Sequence, residues 1–203
     1  AFKSNVLEIG GWKVDFMGDS PKVIIYFGDI YGFHSGHTQK TCSDLANLGY
    51  TVANVDWLFG LPWREDLPLG HEFQTWASKI RVRESVEFVQ DNLLPRLKAE
   101  DKTDFAVAGS CAGAWISLHV SAAIPEIKAN ISFHPSYIIE QYHGGDIKTV
   151  MAKVTQPQII FPAHNDPVDI KPNGELIHIL EKSTGGKVES HPHESEQHGY
   201  MNR

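Results

Sequence analysis

AVAGSCAGAW, residues Ala106 to Trp115, decides how the rest of the chain is read. Its first half is an apolar strand. Its second half is a run of small residues that suits a helix. Between them stand Gly109, Ser110, Cys111, Ala112 and Gly113, the pattern glycine, any residue, nucleophile, any residue, glycine. A direct turn from strand into helix brings neighbouring backbone too close for a Cβ, so the flanks must be glycine. A helix starting right behind Cys111 adds partial positive charge that favours a thiolate. The N–H of Ala112 would then face a developing oxyanion. The competing reading is a small apolar cysteine buried at a strand–helix joint, as free cysteines often are.

Outward from this stretch, short apolar runs alternate with longer amphipathic ones. Val23–Phe27, Tyr50–Val55, Asp104–Gly109, Ala129–His134, Gln156–Ala163 and Lys187–Ser190 read as strands. Thr38–Leu48, Glu72–Leu94, Cys111–Ile124 and Asn173–Lys182 read as helices. Gly49 suits a left-handed helix stop, and Pro95 is expected to end the long second helix. The opening VLEIGGWKVDF, Val6 to Phe16, reads as a hairpin around Gly10 and Gly11. Such alternation points to an α/β chain with a mostly parallel sheet and helices on both faces. With no repeat, linker or low-complexity tract, residues 1–203 read as one domain.

The bulk properties narrow the function classes. A chain of 203 residues buries enough surface to fold without disulfides or a structural metal. The net charge is −7 and the acids are spread, which argues against nucleic acid or an anionic membrane as partner. Two cysteines, Cys42 and Cys111, fit a reducing compartment, so a cytoplasmic location is expected. Cys42 reads as a buried helix residue. No apolar run reaches the roughly 20 residues of a membrane span, and no signal-peptide pattern opens the chain. Neither phosphate-binding glycine motif is present, and no cofactor is expected. His34, His37, His191, His193 and His198 have spacings a metal could use, but no H-E-x-x-H helix or Cys–His grid accompanies them. No metal is expected.

A nucleophile needs a base, and the base needs a residue that orients it. In hydrolases with a strand-to-helix elbow the chain order is nucleophile, acid, histidine. Asp166 follows the late strand in IIFPAHND, and His198 follows the last strand in QHGY. The alternatives are a turn aspartate capping the next helix and a surface histidine.

The chain resembles the dienelactone hydrolase family of α/β hydrolases. The likeness runs from GDIYGFHSGHTQKTCSDLANLGYTVANVDWLFG through GSCAGA and AHND to HGYMNR. The DIYG, DWLFGLPW and HPS segments are similar to eukaryotic members. The resemblance implies an α/β-hydrolase fold, with Cys111 as nucleophile, His198 as general base and Asp166 as its orienter. It implies an oxyanion hole from the N–H groups of Ala112 and Ile30. It also implies that Asp29, where members normally carry Glu, modulates the thiol. Members usually continue into a helix after HGY, so a domain without that helix is expected.

In bacterial members, arginines hold a substrate carboxylate. Here Asp56 is followed by Trp-Leu-Phe-Gly, and Arg203 is the one arginine near His198. A less charged or larger substrate is therefore expected. Tyr31, Trp57, Phe59, Trp63, His134 and Arg203 are the candidate substrate contacts, with core positions the alternative for the aromatic ones; His134, Pro135 and Ser136 end a strand and read either as a border of the pocket or as a structural turn. The expected partner is a small-molecule ester or lactone, and the expected state a monomer or weak homodimer. A thiolate suits activated esters, thioesters and lactones, because an amide intermediate expels sulfur before the amine. The alternatives are a general carboxylesterase or thioesterase without dienelactone activity, and a catalytically silent binding protein on the same scaffold.

Overall fold

A strand buried along its whole length needs cover on both faces. Two segments meet that description: β3 (Lys22–Phe27), buried from its second residue on, and β4 (Thr51–Val55), buried throughout. The computed structural model describes residues 4–64 and 66–202. In it these two strands pair in parallel inside a single sheet. The other strands are β1 (Asn5–Ile9), β2 (Trp12–Met17), β5 (Asp104–Ser110), β6 (Ile127–Phe133), β7 (Gln158–Phe161) and β8 (Val188–Ser190). The order across the sheet is β1-β2-β4-β3-β5-β6-β7-β8. β1 and β2 are antiparallel, β2 is antiparallel to β4, and every later pairing is parallel.

The hairpin turns at Gly10 and Gly11, both at positive φ (55° and 82°), as a two-residue turn of the right hand requires. Helix α1 (Gly36–Asn47) ends where Gly49, at φ 95°, returns its N–H to Ala46 O at 3.0 Å.

One expectation fails in an informative way. Residues 72–94 do not form one helix. Helix α2 (His71–Ala77) stops, the chain turns, and α3 (Val82–Phe88) begins. The Ala77 carbonyl is taken by His143 Nε2 at 2.9 Å and by the Ile80 N–H at 3.1 Å, bonds that hold the break open. Pro95 does not end the helix either. A π turn over Val89–Leu93, with Leu94 N–H bonded to Val89 O, leads into α4 (Leu94–Lys98). Pro95 sits in the first turn of α4, where its missing N–H is tolerated.

Helix α5 (Ala112–Ala123) packs into the sheet immediately behind β5 and is buried along most of its length. The closeness depends on two glycines. A Cβ on Gly109 would lie 2.3 Å from Gly113 O, and a Cβ on Gly113 would lie 2.1 Å from Phe27 O and 2.2 Å from Gly28 O. These are backbone atoms and cannot swing away. Gly113→Ala is therefore expected to lower stability by about 3 kcal/mol, the upper end of the overpacking range, read from the urea midpoint. Gly36→Ala, with nothing within 4 Å of its Cβ, should raise the midpoint slightly.

Candidate active site

Parallel strands bring their carboxyl ends to one edge of the sheet, and loops leaving that edge converge. Cys111 leaves the end of β5 at φ 54°, ψ −120°, a conformation that costs about 1–3 kcal/mol for a residue with a side chain. The cost is offset by bonds that fix it. Cys111 N–H donates to Phe133 O at 3.0 Å, and Cys111 O accepts from Ser136 N at 3.0 Å and Ala114 N at 3.2 Å. The turn holds Cys111 at the rim, half-buried, while Ala112 starts the helix. The first N–H groups of a helix have no partner inside it.

Asp166 lies past β7, 6% exposed. Its Oδ2 accepts the Ala163 N–H at 2.7 Å, and its Oδ1 faces His198 Nδ1 at 2.6 Å. A carboxylate only accepts, so Nδ1 carries the proton of that bond. Nε2 then faces Cys111 Sγ at 3.3 Å. The same loop holds the histidine's backbone, since Asn165 Oδ1 accepts the His198 N–H at 2.6 Å. Ser136 Oγ stands between the two reactive groups, 3.2 Å from Sγ and 3.3 Å from Nε2.

Burial works to lower the pKa of His198. The hydrogen bond to Asp166, then the hydrogen bond and charge of Cys111, then the charge of Asp166 outweigh it and push the value up to about 10 from an ordinary 6.5.

A cavity of about 340 Å³ opens over Cys111. Asp29, Ile30, Tyr31, Ser136 and His198 line it, with Leu69, Phe73, Ile138, Ile139 and Tyr142 as its apolar wall. Asp29 is buried, and its Oδ1 accepts the Tyr31 N–H at 2.9 Å. Ile139 and Tyr142 belong to the short helix α6 (Ile139–Tyr142). Glu140 of that helix accepts bonds from Trp115 Nε1 at 2.6 Å and His119 Nε2 at 2.7 Å, both on α5. Burial opposes its charge, but these two bonds, with the nearby charge of His119 and His143, hold its carboxyl below the usual range.

Several expected contacts lie elsewhere. Trp57 is buried and donates Nε1–H to Gly28 O at 3.1 Å. Phe59 packs on Trp12 at 4.3 Å, with the Arg81 guanidinium 4.5 Å from its ring. Both line a different hollow. Trp63 donates to Leu67 O and meets Phe73 edge-on at 5.4 Å, so it backs the wall without forming it. In each case the indole or ring has a core partner that an aromatic-rich sequence does not distinguish from a pocket. His134 is fully buried behind His198, ring centroids 4.8 Å apart, and does not line the cavity. Arg203 lies outside the described residues.

The sequence offers His134, Pro135 and Ser136 together as a pocket border or a structural turn; of the three, Ser136 lines the cavity. Asn165 is the addition. Asn165 adjoins Asp166 in AHND, and no spacing rule marks it. Among the described residues, one group of three metal-type side chains lies close together: Cys111, His134 and His198, with donor atoms within 4.8 Å of one another. His34, His37, His191 and His193 join no such group among the described residues.

The profile of the dienelactone hydrolase family matches residues 16–203. Among solved structures, a candidate dienelactone hydrolase from Klebsiella pneumoniae superposes with TM-score 0.75 at 15% identity, covering 98% of this chain and 88% of that one. A dienelactone hydrolase-like promiscuous phosphotriesterase from metagenomic libraries gives TM-score 0.70 at 14% identity, over 95% and 81%. An esterase of Pyrococcus furiosus gives 0.63 at 14%, over 96% and 82%. At these identities the likeness speaks for the fold, which is that of the α/β hydrolases. No curated protein matches by sequence.

The raised His198 pKa sets a pH dependence of stability. A group whose pKa is higher folded than unfolded stabilises fully below its unfolded value and loses that contribution as pH rises through the folded value. The window here runs from 6.5 to about 10. Urea midpoints measured across it should fall more steeply for the wild type than for His198→Gln. Parallel curves would show that His198 gains no proton affinity on folding.

Proposed function

The chain belongs to the dienelactone hydrolase family, and on that footing we propose that it hydrolyses small uncharged esters or lactones through an acyl-thioester on Cys111. The observation that carries the reading is the continuous line Cys111 Sγ, His198 and Asp166, with contacts of 3.3 Å and 2.6 Å.

The chemistry follows from that line. The Cys111 thiolate attacks the ester carbonyl carbon, and the carbonyl electrons move to oxygen. The N–H groups of Ala112 and Ile30 are assigned to that oxyanion. Ala112 opens α5, and Ile30 lines the cavity. Collapse expels the alkoxide, which takes the proton from His198 Nε2 and leaves a thioester. A water then gives a proton back to Nε2 as its oxygen attacks the thioester carbon. The second collapse releases the carboxylic acid and restores thiolate and imidazolium. In a lactone the expelled alkoxide stays tethered to the acyl group. Asp166 keeps Nε2 aimed at sulfur throughout. Ser136 is a positioning residue, holding sulfur and imidazole at bonding distance. Asp29, in the same cavity, is assigned the acid position that modulates the thiol.

The cavity walls support an uncharged substrate. The described lining carries Asp29 and neither lysine nor arginine. A substrate carboxylate there would find no bidentate guanidinium partner among the described lining. The volume lies at the small end for ligand sites. The same walls favour a carboxylesterase or thioesterase over a hydrolase of carboxylate-bearing lactones. The single sheet and the two free cysteines support one domain working in a reducing compartment such as the cytoplasm.

Cys111→Ala should lower turnover of an uncharged aryl ester by about a thousandfold or more, and mass spectrometry of the wild type during turnover should find the acyl group on Cys111. Near-normal turnover in that variant would sink the assignment. Ser136→Ala should lower kcat/KM by about tenfold, the worth of a hydrogen bond to a charged group. An acyl chain ending in carboxylate should be processed more slowly than its methyl ester.

A further inference from the structure

We propose that Cys111, His198 and His134, with Ser136 beside them, form an inhibitory binding site for a borderline-soft divalent cation, best matched by Zn²⁺. The inhibition rests on the reading of Cys111 as nucleophile; the binding does not.

Distances carry the proposal. Cys111 Sγ, His198 Nε2 and Ser136 Oγ form a nearly equilateral triangle with edges of 3.3, 3.3 and 3.2 Å. Zinc bonds of about 2.0–2.3 Å in a tetrahedron set neighbouring donor atoms about 3.3–3.8 Å apart. The triangle is therefore already spaced as one face of such a site. A His134 ring nitrogen lies within 4.8 Å of both Sγ and the His198 donor, on the buried side. It needs to approach by about an ångström to become the third strong ligand. Oxygen of Ser136, or of a water from the cavity, completes four.

Donor chemistry selects the metal. One thiolate and two imidazoles suit zinc and its softer neighbours, and they do not suit Mg²⁺ or Ca²⁺, which want oxygen. The support expected behind a metal-bound histidine is also present. Asp166 accepts the Nδ1–H of His198 at 2.6 Å, which fixes the ring and leaves Nε2 for the metal. Binding exchanges the Nε2 proton for the metal and releases it to solvent. No oxidation occurs. The sulfur and nitrogen lone pairs that attack and deacylation require are both held by the ion, so turnover stops until the ion leaves.

The test uses the full chain and Zn²⁺ alone. Aryl ester turnover should fall with added Zn²⁺ and return with EDTA. His134→Gln, checked for folding by circular dichroism, should raise the half-inhibiting Zn²⁺ by about tenfold or more, each protein being referred to its own metal-free rate. Co²⁺ should give a sulfur-to-cobalt charge-transfer band that Cys111→Ser lacks. Because His134 is buried, a substitution there can disturb folding, so the cadmium-113 shift of the unaltered protein provides a second count of donors: one sulfur with two nitrogens is expected. Undiminished turnover in excess Zn²⁺, a cadmium shift of one sulfur with a single nitrogen, or an unchanged half-inhibiting concentration in folded His134→Gln overturns the proposal. If Cys111→Ser keeps full turnover while the wild type shows the cobalt band, the functional reading fails and the metal site stands.

Discussion

A single residue in an unfavourable backbone conformation organises this molecule. Cys111 is held left-handed between a strand and a helix, and it stays there because its N–H is bonded to the end of β6 and its C=O to the turn just beyond it. The glycines on either side permit the helix to close onto the sheet. The strain keeps it at the rim, and the packed sheet beneath supplies the energy to hold it there.

The other members of the site depend on this arrangement in turn. The β6 segment that bonds the Cys111 backbone continues into His134, Pro135 and Ser136. Ser136 thus touches the cysteine twice, through its N–H to the carbonyl and its hydroxyl to the sulfur. One strand further on, the loop after β7 grips His198 at two points, ring and backbone. Electrostatics follow geometry. The pKa of the imidazole is raised because a buried carboxylate and a sulfur stand on opposite sides of it, and together they exceed the penalty of burial.

Much of this was legible in the sequence because it rests on local rules. Apolar runs located the parallel strands, and glycines marked the hairpin, the end of α1 and the elbow. The order of Cys111, Asp166 and His198 followed from the layout that such an elbow belongs to. What stayed hidden depends on contacts between distant segments. The apolar spacing of residues 72–94 fits one helix, and the break at Ala77 is held partly by His143, more than sixty positions later. Phe73, in α2 on the near side of that break, faces the cavity. Trp57, Phe59 and Trp63 read equally as pocket or core residues; Trp57 and Phe59 line a separate hollow and Trp63 packs behind Phe73, since an aromatic ring looks the same in sequence whichever neighbour it meets.

Glu140 joins two parts of the site that are otherwise separate. It ties α6 to the middle of α5 through Trp115 and His119, while α5 begins right after Cys111. The wall and the sulfur therefore stand on one rigid frame. Ile139 and Tyr142 reach the cavity from a helix whose footing lies elsewhere. One carboxylate outside the cavity lining thus couples the cavity's apolar wall to the helix that opens behind Cys111.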